Sequence, residues 1–71
     1  LVEWTLPPNA PIIGHTVKSV PWPVDTVLVA ILRDGRVLVP SGDDPLEGGD
    51  ELLFVAAAEV EEQLRDLLLH G

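Results

Sequence analysis

The chain opens on an alternation. In Leu1-Val2-Glu3-Trp4-Thr5-Leu6, the apolar Val2, Trp4 and Leu6 fall on one side and Glu3 and Thr5 on the other. That period of two predicts a strand with one wet face. Pro7-Pro8-Asn9-Ala10-Pro11 ends it, because proline brings no N–H to a sheet ladder. Beyond Ile12-Ile13-Gly14, the stretch His15–Val20 has room for one or two helical turns with Thr16 as N-cap, and Pro21-Trp22-Pro23 then makes a rigid turn. Val24–Leu32 predicts the clearest strand. Asp34-Gly35 follows as a hairpin turn, since both positions accept positive φ, and Arg36–Pro40 returns antiparallel. Ser41–Gly49 is loop by composition. Gly48-Gly49-Asp50 turns tightly into a last strand that runs from Asp50 or Glu51 to Ala56. From about Ala58 the period becomes helical: Val60, Leu64, Leu67 and Leu68 share one face, while Glu61, Glu62, Arg65 and Asp66 face water. The early glutamates suit a helix N-terminus, and Gly71 stands where a C-cap belongs.

The pattern predicts an α+β domain over residues 1–71: a small antiparallel sheet of about four strands with one short and one long C-terminal helix, in the order β-α-β-β-β-α. Two strands are apolar on both sides. Leu28, Ala30 and Leu32 alternate with Val27, Val29 and Ile31, and Leu52, Phe54 and Ala56 alternate with Leu53, Val55 and Ala57. Such strands are normally covered on both faces, yet the chain has one full amphipathic helix and one short one. If both helices cover one face, the other needs a neighbour, and a two-fold homodimer supplies one. The alternative is that the short helix and the proline loops fold over the second face themselves. Leu1 starts in mid-pattern without an initiator Met, which reads as a segment of a longer protein.

Composition narrows the field. With 71 residues, no cysteine and a net charge of −8, disulfides and thiolate zinc sites are excluded. The acid excess argues against nucleic acid or anionic lipid as partner. The longest apolar runs, Val27–Leu32 and Leu52–Ala58, are far shorter than the roughly 20 residues of a membrane span, so no direct membrane insertion is expected.

Catalysis finds little support. A nucleophile would be Ser19, Ser41 or a threonine and a base His15 or His70, with no nucleophile elbow, Walker loop or HExxH spacing. The chain is read as not an enzyme. Five carboxylates in nine residues, Asp43, Asp44, Glu47, Asp50 and Glu51, offer oxygen for a hard cation, with Asp43, Asp44, Glu47 and Asp50 the candidate ligands. Their spacing does not match an EF-hand, and a solvated, turn-rich connection is the favoured reading of the loop. Arg33 and Arg36 flank the hairpin turn and can grip a phosphate or simply relieve the acidic excess.

The ordered set Ile12-Ile13-Gly14-His15-Thr16-Val17, Val27–Gly35, Val39-Pro40 and Leu46-Glu47-Gly48-Gly49-Asp50-Glu51-Leu52, closed by the terminal helix, resembles one family across nearly the whole chain. This is the C-terminal regulatory domain of potassium-transport proteins, called TrkA-C or RCK-C. The resemblance implies a cytoplasmic α+β regulatory domain that pairs about a two-fold axis, senses a small ligand and passes the change to a membrane potassium transporter or channel. In some members the ligand is cyclic di-AMP, held between two subunits at the equivalent of Ile12–His15. It implies Ile12 and Ile13 against a base, His15 as a donor to a phosphate or base edge, and Lys18 and Arg33 doubled around the axis. Two other functions fit the same resemblance: a purely structural assembly domain, or the regulatory domain of an antiporter or anion transporter unrelated to potassium.

Overall fold

The computed structural model describes all 71 residues, Leu1–Gly71. Four strands, β1 (Val2–Thr5), β2 (Thr26–Arg33), β3 (Arg36–Leu38) and β4 (Glu51–Ala56), form one sheet in the order β1-β4-β2-β3, with every neighbouring pair antiparallel. A 3₁₀ turn, Ala58–Val60, leads into the single α-helix, α1 (Glu61–His70). No helix is long and apolar enough to cross a membrane.

Several boundaries differ from the sequence expectation, each for a local reason. β2 begins at Thr26 rather than Val24 because Asp25 takes a left-handed conformation, φ 57°, which an extended ladder does not accommodate. β3 stops at Leu38, before Val39 and Pro40, and Pro40 has no N–H with which to continue the pairing. The short helix is a single 3₁₀ turn, Val17–Ser19; Thr16 stands at its N-cap position but its hydroxyl does not cap it. Instead the Ser19 hydroxyl donates to the Thr16 carbonyl at 2.8 Å. The hairpin turn is as expected, with Asp34 at φ 52° and Gly35 at φ 77°. At the other end, the Gly71 N–H donates to the Leu67 carbonyl at 3.1 Å and closes α1.

The two sides of β2 are not the ones that strict alternation gives. The register with β4 shifts between Leu28 and Ala30, so Val29 is the extra residue of a β-bulge. One face then carries Leu28 and Ile31, which pair with Phe54 and Leu52. The other carries Val27, Ala30 and Leu32, which pair with Val55, Leu53 and Glu51. The expected grouping of Leu28 with Ala30, and of Ile31 with Val27, is thereby overturned. A single inserted residue reverses every later side chain.

Both covering segments lie on the same face. Ile31, Leu52 and Phe54 are fully buried beneath Leu6, Ala10, Ile12, Val20, Leu46, Leu64 and Leu68, drawn from the proline-rich segment, the acidic loop and α1. Trp22 seals a corner: its ring meets Phe54 at 5.4 Å between centroids, and its indole N–H donates to the Val17 carbonyl at 2.9 Å. The opposite face is bare, with Val27 58%, Val29 42% and Val55 51% exposed. The alternative in which the proline loops fold over that second face is therefore not what this chain does.

Candidate functional site

The segment Pro11–Val20 is held in place by its own turns and by the acidic loop. The Ile13 N–H donates to Ala10 and the His15 N–H to Ile12, at 3.2 and 3.1 Å. Gly14 sits at φ 87°, a conformation that strongly favours glycine. Its N–H donates to the Leu46 carbonyl at 2.8 Å, and the Leu46 N–H returns to the His15 carbonyl at 3.0 Å. The turn presents an apolar hollow of about 270 Å³, lined by Pro11, Ile12, His15, Ser19, Val20 and Pro21 on one wall and by Leu67 and Gly71 of the helix end on the other. A second recess, about 570 Å³, continues from it past Pro21, Leu67 and Gly71 to Pro23, Gln63, Asp66 and His70. Both histidines of the chain thus border one groove. The helical wall was missed in the sequence, where Leu67 reads as core and His70 as a helix end; their signal was only that an apolar and an imidazole side chain lie three residues apart near the C-terminus.

The ligand candidates separate. Ile12 is 5% exposed and belongs to the core as well as to the hollow. Ile13 is half-buried and does not line the hollow; it lies toward Gly48 and Pro8. His15 is exposed at the rim. Lys18 is bound to Asp43 at 2.7 Å, with both side chains largely in water. Such exposed pairs contribute about 0–1 kcal/mol, so Lys18 is easily diverted to another anion.

Arg33 is a different matter. Its Nε donates to Asp50 Oδ1 at 2.8 Å and its Nη2 to Asp50 Oδ2 at 2.7 Å. Nη2 also reaches the Pro45 carbonyl at 3.1 Å, and Nη1 lies 2.9 Å from Glu47 Oε2. Asp50, 1% exposed, additionally accepts the Glu47 N–H at 2.9 Å. Burial pushes the Asp50 carboxyl up, but the bonds from Arg33 and Glu47 together with the Arg33 charge outweigh it and hold it below the usual carboxylate range. Hydrogen bonding to Asp50 raises the Arg33 value, against an opposing cost of burial. The clasp fastens the acidic loop to the end of β2, and it leaves only exposed Arg36 uncommitted beside the hairpin turn.

The four carboxylates proposed for a cation are dispersed among these partners. Asp43 holds Lys18, Asp44 accepts the Ser41 N–H at 3.0 Å, and Glu47 and Asp50 hold Arg33. No three metal-ligating side chains converge. The expectation of a shared cation site at Asp43, Asp44, Glu47 and Asp50 is corrected accordingly: an arginine stands where a cation would.

The hollow and the bare sheet face lie on opposite sides of the molecule. Ile12 and Val20 belong to the layer that covers the inner face of the sheet, while Val27 and Val55 point the other way. A copy resting on the bare face therefore does not reach His15.

A small antiparallel sheet covered on one face by a terminal helix and a proline-rich segment is the architecture of ligand-sensing RCK-type regulatory domains. The chain matches the TrkA-C domain family over residues 1–69, and it belongs to that family, whose domains regulate rather than catalyse. It is 59% identical over 69 residues to the Trk system potassium uptake protein TrkA of Mycobacterium tuberculosis, covering 97% of this chain and 31% of that protein. The chain thus spans about a third of that relative's length. Among solved structures it resembles an RCK domain with cda, at a TM-score of 0.83 and 27% identity, covering 94% of both chains. It also resembles the RCK-C domain dimer of S. agalactiae BusR in complex with c-di-AMP, at a TM-score of 0.75 and 21% identity, covering 94% of this chain and 85% of that one. BusR has been solved in complex with its busAB-promotor DNA as well, the match covering 34% of that chain.

Proposed function

We propose that this chain is the cytoplasmic ligand-sensing module of a potassium-transport system, working as a homodimer and binding a small nucleotide such as cyclic di-AMP in the hollow beside His15. The observation that carries the reading is the open apolar hollow itself, with the only rim imidazole of its wall free in water. The potassium assignment is supported by the relative TrkA. The nucleotide is supported by BusR. A flat base fits against Ile12, Val20 and Leu67, His15 donates to its edge or to a phosphate, and Lys18 leaves Asp43 for a second phosphate. Arg33 has no part in this, because the Asp50 clasp engages it. Regulation follows from differential affinity: a ligand that binds one arrangement of the subunits better than another shifts the population toward it. The acid excess of the module disfavours a nucleic-acid partner.

The test is thermal denaturation and calorimetry with cyclic di-AMP. A ligand at about 100 times its Kd stabilises by about 2.7 kcal/mol, which for a domain of this size raises Tm by roughly 10–20 °C. His15→Ala lowers affinity about 10-fold, by loss of one hydrogen bond worth roughly 1.4 kcal/mol, and leaves the Tm of the free chain unchanged. No shift at millimolar nucleotide overturns the reading. That result favours a purely structural assembly domain, for which the bare sheet face is the supporting observation.

A further inference from the structure

We propose that the recess beside the end of α1, bordered by Gln63 and Asp66, reads the amino edge of the nucleotide's second base, so that the groove takes adenine and rejects a base with a carbonyl in place of that amine. The proposal rests on the nucleotide reading above and adds what selects the ligand and which way round it lies. The hollow, about 270 Å³, is smaller than the roughly 300–1,000 Å³ of small-molecule sites, so it takes one base of a dinucleotide rather than the whole. The recess of about 570 Å³ adjoins it at Pro21, Leu67 and Gly71 and extends the groove along α1.

Charge sets the orientation. Gln63, Asp66, Leu67 and His70 stand at i, i+3, i+4 and i+7 of α1, the spacing of one helix face, and all four border the recess. Asp66 is the single acid along the groove, and none of the chain's lysine and arginine side chains lines either part of it. Asp43, Asp44, Glu47 and Asp50 are each engaged within the fold. The exposed side chains of Gln63 and Asp66 make no hydrogen bond or ion pair in the chain. The carbonyl end of α1 adds partial negative charge in the same place. Phosphates are therefore repelled from this end and drawn toward His15 and Lys18, which leaves a base for the recess.

An acceptor-rich end suits a base that offers hydrogens. Residues three apart on a helix are neighbours, about 5–6 Å between Cβ atoms, so Gln63 and Asp66 can share one amino group. The Gln63 amide pairs with adenine at N6 and N7, its oxygen accepting and its nitrogen donating. The Asp66 carboxylate accepts the second N6 hydrogen. Hypoxanthine presents two acceptors on that edge, O6 and N7, and its O6 meets the carboxylate with no proton between them. A site that hydrogen-bonds an N–H rejects the analogue lacking it more strongly than a purely apolar pocket does.

Isothermal titration calorimetry with cyclic di-AMP and cyclic di-IMP, in which hypoxanthine replaces adenine, tests this on wild type, Asp66→Asn and His15→Ala. Wild type binds cyclic di-AMP about 10-fold tighter than cyclic di-IMP, less than a closed site achieves because Gln63 and Asp66 stand open to water. Asparagine offers a donor as well as an acceptor, so Asp66→Asn loses affinity for cyclic di-AMP, gains it for cyclic di-IMP and brings the two within about 3-fold. The free variant melts with wild type, since the Asp66 side chain bonds to nothing in the chain. His15→Ala weakens both ligands alike and keeps the preference. Equal affinities in wild type, an undiminished preference in Asp66→Asn, or a preference lost in His15→Ala overturns the proposal and leaves the nucleotide reading standing. Failure of both nucleotides to bind wild type overturns that reading and this proposal with it.

Discussion

Replacing Asp50 with alanine tests the claim that an ion-pair clasp, and not a bound cation, organises the acidic loop. The substitution removes the acceptor of three hydrogen bonds, two from Arg33 and one from the Glu47 N–H. Removing one partner of a buried pair costs about 3–5 kcal/mol. Two features reduce that here. Arg33 retains Glu47 and the Pro45 carbonyl, and its side chain is 22% exposed, so water reaches the orphaned guanidinium. A loss of about 2–3 kcal/mol follows, equivalent to roughly 10–20 °C in Tm for a domain of this size. Urea denaturation of Asp50→Ala, Arg33→Ala and the double variant provides the measurement. The two singles should each lose about 2–3 kcal/mol and the double little more than either, giving a coupling energy of about 1.5–3 kcal/mol. A strictly additive double variant, or a loss below about 0.5 kcal/mol in Asp50→Ala, refutes the clasp. Acid gives the same information without mutation. The Asp50 carboxyl sits below its usual value when folded, so its stabilisation is complete above about pH 5 and is lost as pH falls through the unfolded value near 4 toward the lower folded one. Asp50→Ala should lack that component of acid destabilisation.

Two further expectations rest on packing and backbone alone. Phe54 is fully buried and touches Trp22, so Phe54→Ala should cost about 3–5 kcal/mol, enough to leave the chain largely unfolded at 37 °C by circular dichroism; a loss under about 1 kcal/mol would mean the core is not where it is described. Gly35 sits at φ 77° and a Cβ added there would meet no other group within 4 Å, so Gly35→Ala should cost roughly 1 kcal/mol through backbone strain alone. An unchanged urea midpoint would contradict the hairpin geometry.

Local signals carried well from sequence to structure, and non-local ones did not. The Asp34-Gly35 hairpin, the apolar stripe in which Val60 of the 3₁₀ turn and Leu64 and Leu68 of α1 are buried and Leu67 half-buried, and the Gly71 cap depend on neighbours within a turn, and all are present. The bulge at Val29 has no sequence mark, because valine suits a regular strand equally well; only the pairing with β4 reveals it. Arg33 and Asp50 stand 17 residues apart, so each reads alone as a surface charge, one a phosphate binder and the other a metal ligand, until the sheet brings them together. The same holds for the hollow. Ile12 and His15 were legible in a motif, whereas Leu67 and Gly71 join them only because α1 folds back against Pro11. Leu46, fully buried, stood in the family-like motif but not among the expected core, because its polar neighbours made the segment read as loop.

The central claim is that the groove between the Ile12–Val20 turn and the end of α1 receives a small nucleotide. Backbone amide NMR during titration with cyclic di-AMP tests it most directly. The account predicts saturable shifts at His15, Ser19 and Leu67, with Arg33 and Asp50 little changed. Saturable shifts confined to Arg33, Asp34 and Arg36, or none at any concentration, would contradict it.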